Sequence, residues 1–396
     1  MYFSRKKNLY VVLFLTAVLV TGFSFISVPI ESAEISLASV VIMQSSIIVP
    51  EPIPTIPTPI PPPEKLKNPS EIIKAVYVTG WSAGSKSYLN YLTDLFKTTE
   101  INAVVIDIKD YSGLISYKSG AIPDINALIR FFHDQNIYVI GRISVFEDPT
   151  FLKARPDLAI FDKTKTTDSA KILWYDNHRL SWLDPASTEV WDYNISIAKD
   201  VLARGFDEVN FDYIRFPSDG KTQNMGFPYW DEKIPMRVVL KNFYKYLRQE
   251  LPDAKLSADL FGQTTVNSDD LGVGQIIEDA LEYFDYVSPM VYPSHYATNF
   301  MGFLNPAEYP YEVVNYSMQT ALAKKTALAE LKTAENASVK LAELRPWLQD
   351  FNMGAFYTAE MVKSEIKASQ DSLKDNFAGY LLWSPSNVYS KNAILK

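Results

Sequence analysis

The eleven residues Asp207-Glu-Val-Asn-Phe-Asp-Tyr-Ile-Arg-Phe-Pro217 hold the side chains best placed to do chemistry. They read as a buried strand that ends in charge, at Asp212 and Arg215, before a proline breaks the run. A carboxylate at the end of a core strand costs free energy unless it is paired or used. A structural Asp212–Arg215 ion pair would meet the first condition, and an active-site acid the second. In a barrel of parallel strands, active sites gather at that end of the strands.

The pattern recurs. The run Ala103–Asp110 closes on Asp107, Lys109 and Asp110, and Leu256–Gly262 carries Asp259. Arg142 and Glu147 follow Tyr138–Gly141, and Tyr292 follows Tyr286–Val291. Period-two alternation puts Asn210 and Asp212 on one face, and Asp107 and Lys109 on one face. Several buried strands with polar endings are what a site assembled from many strands requires. Two carboxyls can share acid–base work, one protonated to give a proton and one ionised to attack or to activate water. Asp212, whose ionised form Arg215 would favour, is the expected nucleophile or base, and Asp259 the expected acid. Asp107, Glu147 and Asp350 stand as supporting carboxylates.

The elements that must position these groups alternate strictly. Strands are expected at 75–81, 103–109, 138–145, 208–216, 255–261, 285–292, 341–348 and 378–383. Helices are expected between them at 86–98, 124–135, 188–204, 235–250, 275–283, 312–332 and 358–370. Eight such units over residues 72–396 predict a closed (β/α)8 TIM barrel of the α/β class. An open doubly wound sheet is the alternative, but no glycine-rich dinucleotide fingerprint follows the first strand. The long loops Phe146–Ser187 and Pro217–Lys233 carry Trp174, Tyr175, Trp182, Tyr229 and Trp230, expected either to wall a cleft over the barrel mouth or to cap it.

Composition removes other chemistries. The chain has no cysteine, so thiolate nucleophiles and Cys-ligated metals are excluded. Its three histidines are not at ligand spacing, and no metal or cofactor is called for, although carboxylate-bound calcium stays open. A net charge of −8 without a basic stripe argues against nucleic acid as a partner. The segment Gly80–Ser87 has three residues between its glycines where a phosphate loop has four. Aromatic residues at 13% fit sugar-stacking faces and large barrel cores alike.

Ahead of the barrel, Arg5, Lys6 and Lys7 precede a charge-free run from Leu9 to Ile30. Residues 1–30 are therefore expected to be a signal-anchor in the membrane with the remainder exported, or else a cleaved signal peptide. Residues 31–71 are expected to be a Pro-rich disordered linker. Its stretch Pro50–Pro63, with eight prolines, would form a stiff spacer of roughly 40 Å. The expected location is the cell envelope, with the barrel outside the cytoplasm, or the medium.

The segments VYVTGW, VVIDIKD, GRISVFED, FDYIRFP, SADLFG, YVSPMVYPSHY, RPWLQDF and GYLLWSPSN together resemble a bacterial family of glycoside-hydrolase-like TIM barrels. That family is largely a domain of unknown function, distantly similar to α-amylase-type barrels. The resemblance covers 72–396. It implies a hydrolase of polysaccharide or cell-wall glycan, with Asp212 in the place of the strand-4 nucleophile and Asp259 in that of the strand-5 acid. In amylase-like barrels that acid is Glu. Asp350 follows strand 7, though Trp347-Leu-Gln349-Asp350 is not the amylase sequence, so the mechanism and the anomeric form stay open. Gln349 and Trp383, in the last two motifs, join Lys109, Arg142, Glu147, Arg215 and Tyr292 as expected substrate-binding or supporting residues. A non-catalytic glycan-binding barrel is the reading from another class.

Overall fold

Strands buried on both faces need apolar residues at nearly every position, and the runs just named supply them. In the computed structural model, which describes residues 61–167, 170–335 and 340–396, they form eight parallel strands. These are β1 (Ile73–Val78), β2 (Ala103–Lys109), β3 (Tyr138–Ser144), β4 (Glu208–Asp212), β5 (Leu256–Phe261) and β6 (Tyr286–Met290). Then come β7, in two pieces (Glu343–Leu344 and Trp347–Gln349), and β8 (Gly379–Trp383). β1 pairs with both β2 and β8, and β7 pairs with both β6 and β8, so the sheet closes and the open alternative falls. The expected membrane run and most of the Pro-rich segment lie outside the described residues. Among those described, no helix is long and apolar enough to cross a membrane. Residues 61–71 lie against the barrel, where the Leu66 amide donates to Asp207 Oδ1 at 2.7 Å.

The seven expected helices stand between the strands: α1 (Lys86–Thr98), α2 (Ile125–His133), α3 (Thr188–Ala203), α4 (Met236–Glu250), α5 (Ile277–Leu281), α6 (Pro310–Ala334) and α7 (Ala359–Leu373). Their starts are written locally. Asp124, Ser187 and Thr358 cap α2, α3 and α7 by accepting from backbone amides in the first turn, each cap stabilising by about 1 kcal/mol. Outward strand residues such as Val76, Val104, Ile106 and Val139 join Leu92, Phe96, Ile129 and Phe132 in the helix–sheet core. Inward residues such as Ala75, Tyr77, Val105, Ile140 and Trp347 fill the barrel. Closure between β8 and β1 needs a glycine. Gly379 sits at φ +110°, and a Cβ there would lie 1.8 Å from the Ile73 carbonyl oxygen.

Three departures from expectation have an identifiable physical reason. β4 stops at Asp212 rather than 216, because Tyr213 adopts a left-handed φ of 53° that no ladder continues. β7 is interrupted where Pro346 lacks an amide donor. In the β2–β3 ladder Asp107 faces Arg142 while Lys109 faces Ile143. This bulge inserts Ile108 and turns Lys109 away from the interior, so Asp107 and Lys109 do not share a face.

The long loops after β3 and β4 are joined by a short antiparallel pair, Phe161–Asp162 with Met225–Gly226. At the opposite end of the barrel Arg345 and Glu208 form a fully buried ion pair, with Arg345 4.0 Å above the Tyr286 ring.

Candidate active site

Four adjacent strands, β2 to β5, deliver the charged centre of the barrel mouth. Arg142, on β3 and only 4% exposed, donates from Nη1 to Asp107 Oδ1 and from Nη2 to Asp212 Oδ2, both at 2.5 Å. Its Nε lies 3.7 Å from Asp259 Oδ2. One guanidinium thus serves three carboxyl groups, and its own face lies against the rings of Tyr77 and Trp383. The arrangement follows from alternation. Asn210 and Asp212 face inward together as expected, and Asn210 Nδ2 donates to Asp259 Oδ1 at 2.8 Å.

Each acid has its own surroundings. Asp212 Oδ1 accepts the Tyr213 amide, which the left-handed turn aims back at it. Asp107 stands behind Arg142 and accepts the Tyr77 hydroxyl at 2.5 Å. Burial raises its pKa, and Arg142 and Tyr77 oppose that rise. Asp259, 1% exposed, accepts the Trp347 indole N–H at 2.8 Å on the same oxygen that Asn210 reaches. Burial, and then the neighbouring charge of Asp212, push Asp259 well above the usual carboxylate range, against Arg142, Asn210 and Trp347. Burial works against the charged form of Arg142 too, but Asp107, Asp212 and Asp259 more than offset it and hold the guanidinium firmly protonated. Glu147, just past β3, is raised to about 8 by burial and by Asp176.

Above this centre lies a cleft of about 370 Å³. Arg142, Asp212, Arg215, Asp259, Tyr292 and Trp383 line it, six of the residues singled out in the sequence. Tyr213, Phe261, Gln263, Met290, His295, Tyr296 and Trp347 also line it and were not singled out. Trp347 and Tyr77 carry a usable signal, since both sit at inward positions of strands that bear or neighbour the acids. Burial lowers the His295 pKa, leaving a neutral imidazole at the rim.

Other expected residues sit elsewhere. The bulge sends Lys109 outward beneath α3, where Nζ reaches Asp148 Oδ2 and Asn194 Oδ1, both at 2.8 Å. Asp350 accepts the amide and hydroxyl of Ser390 and so ties down the loop after β8. Gln349 accepts from the amide and hydroxyl of Ser294, fixing the loop that carries His295. The expected Asp212–Arg215 pair is absent. The turn at Tyr213 carries Arg215 over Trp182 and Phe261, and Asp212 takes Arg142 as its cation. The five loop aromatics do not line the cleft. An indole that is buried needs a partner for its N–H, and these find theirs inside the loops: Trp174 at the Lys221 carbonyl, Trp182 at Asp176, Trp230 at the Ile234 carbonyl. The aromatic walls come instead from the strand ends and the residues just beyond them.

Among solved structures, a hypothetical protein from Ruminiclostridium thermocellum is 35% identical over 50% of this chain and 98% of that one, with a TM-score of 0.40. The glycoside hydrolase domain of PgaB (BpsB) from Bordetella bronchiseptica is 15% identical, covering 80% of this chain and 95% of that one. Its TM-score of 0.52 marks a shared fold. TtGalA, an alpha-galactosidase from Thermus thermophilus, is 13% identical over 82% of this chain and 61% of that one, with a TM-score of 0.47. No curated protein matches the chain. Residues 75–389, from within β1 to beyond β8, match the model of a family described as "Putative glycosyl hydrolase domain", and the chain belongs to that family.

Proposed function

We propose that the barrel is a glycosidase acting on an extracellular or cell-wall polysaccharide, with Asp212 and Asp259 as its two carboxyl groups. One observation carries the reading: a single cation serves three carboxyls at the floor of an aromatic-walled cleft. Three carboxylates around one guanidinium leave excess negative charge in a dry site, which favours keeping one of them protonated. Asp259 fits that part, being the most desolvated acid in the cleft and beside a second carboxylate. It would give its proton to the departing glycosidic oxygen. Asp212, oriented by Arg142 and by the Tyr213 amide, would attack the anomeric carbon or draw a proton from water. Asp107 and Tyr77 hold Arg142 from behind, and Glu147 is the substitute acid.

The near-complete burial of Asp259, with one oxygen already taken by two donors, favours a second reading as a glycan-binding barrel without turnover. A glycan panel scored for released reducing ends separates the two. The enzyme reading expects hydrolysis by the wild type and its loss in Asp212→Asn and Asp259→Asn. Glycan binding that survives both substitutions, with no reducing ends from the wild type, would establish the binder.

The placement is proposed on physical grounds. The charge-free run behind three basic residues would anchor the chain, and the Pro-rich segment would hold the barrel off the membrane toward its polymer. Full-length protein should sediment with membranes and resist a high-salt wash. A mature chain beginning near residue 34 in the medium would refute the anchor.

A further inference from the structure

The cleft holds a second guanidinium, in an unlike state. Arg142 has carboxylates on every side, whereas Arg215 has no carboxylate within 4 Å among the described residues. Arg215 is held by ring faces instead: Phe261 at 4.7 Å, Trp182 at 4.8 Å and Tyr213 at 5.3 Å from its guanidinium carbon. Only Nη1 is hydrogen-bonded, to the Phe216 carbonyl at 3.3 Å and Ser218 Oγ at 3.1 Å, both neutral acceptors. Nε and Nη2, which form one edge of the planar group, have no partner among the described residues. Aromatic faces stabilise the cation, and neither Nε nor Nη2 is a buried orphan, so the edge stays open for an acceptor arriving from the cleft. Burial and Asp176 raise the pKa of Glu147, the neighbouring acid after β3, to about 8, so it is mostly protonated at neutral pH. A rigid fork with a free two-donor edge, lining a cleft, matches a planar anion in bidentate fashion.

We propose that Arg215 determines specificity by binding an anionic substituent of the glycan, foremost the carboxylate of a uronic acid. The inference rests on the cleft being a glycan site and narrows the substrate to acidic sugars. A sulfate or phosphate ester would present the same oxygen pair to the same edge.

The test is a titration of the full-length chain, followed by tryptophan fluorescence because Trp182 underlies Arg215. The probes are methyl glucuronide, methyl galacturonide, glucose 6-sulfate and glucose 6-phosphate, each compared with methyl glucoside. At least one anionic sugar should bind roughly 10-fold or more tightly than the neutral one, and the arm that binds best names the anion. Arg215→Met should weaken that sugar roughly 10- to 100-fold, the range for hydrogen bonds to charged groups, and so bring its affinity close to that of methyl glucoside. Arg215→Lys, which keeps the charge but loses the fork, should recover part of the loss, and an unchanged far-UV circular dichroism spectrum and thermal midpoint show that the variants fold. Equal binding of neutral and anionic sugars, no binding of any anionic sugar, or an anion preference that persists in Arg215→Met each overturns the proposal. Hydrolysis of neutral glycans without acid preference would sink this inference and leave the glycosidase standing. Acid-sugar binding by a chain that releases no reducing ends from any glycan would do the reverse.

Discussion

The barrel buries an arginine among acids at both ends of its interior, and the two clusters differ in stoichiometry. At the closed end Arg345 meets one carboxylate, Glu208, through two N–H donors, with the Tyr138 hydroxyl on the same carboxylate. Both partners are fully buried, charge is balanced and neither lines the cleft at the mouth. At the mouth Arg142 meets three carboxyls, two of which line a cleft. Balanced buried charge is a structural arrangement, replaceable in principle by apolar residues of similar volume. Unbalanced buried charge beside a cleft raises the pKa of at least one acid and leaves a proton available for transfer. Under the proposed function, the difference assigns the ligand to the mouth cluster.

The comparison breaks most sharply on activity. Asp212→Asn should reduce glycan hydrolysis by roughly a thousandfold, within the range for loss of a positioned acid–base group, while the thermal midpoint moves little. Glu208→Gln should leave turnover intact and cost stability instead. An equal loss of turnover from the two would erase the distinction between the ends.

Stability gives the next test. Removing one member of a buried pair leaves its partner uncompensated, at about 3–5 kcal/mol. Arg345→Met alone should therefore destabilise by about that amount in urea unfolding, and pairing it with Glu208→Leu should recover most of the loss. Arg142→Met should abolish hydrolysis. No single substitution of its three acids should restore it, because Asp107, Asp212 and Asp259 each bear on that one cation.

A smaller effect concerns pH. Glu147 has a folded pKa of about 8 against an ordinary value of 4.5, so the folded chain holds this proton more tightly than the unfolded chain. Its contribution is fully present below about pH 4.5 and is lost as pH rises toward 8. Urea midpoints measured across that window should fall less steeply for Glu147→Gln than for the wild type. Identical slopes would remove Glu147 from the charge balance of the mouth.

The smallest effect is expected at Asp350, an acid that faces Ser390 rather than the cleft. Asp350→Asn should lower stability by about 1–2 kcal/mol through weakened loop hydrogen bonds and leave the hydrolysis rate near wild type. A large rate loss would move the catalytic boundary outward from the Arg142 cluster.

What the sequence by itself determined is the periodic part of this protein. Apolar runs with polar ends placed all eight strands and seven helices, and local alternation turned Asn210 and Asp212 to the interior, because face selection depends only on neighbours along the chain. The tertiary structure decided the pairings. Asp212 takes Arg142 from 70 residues away rather than Arg215 from three, since the barrel sets β3 beside β4 while the left-handed turn at Tyr213 swings Arg215 off the axis. A single bulged residue sent Lys109 to the helix layer, a defect that hydrophobic periodicity does not encode. The cleft aromatics likewise came from strand ends and short loops far apart in sequence, whereas the conspicuous loop tryptophans spent their N–H groups on nearby partners. Alternation selects a face, but which groups meet on that face is settled only when distant strands close into a ring.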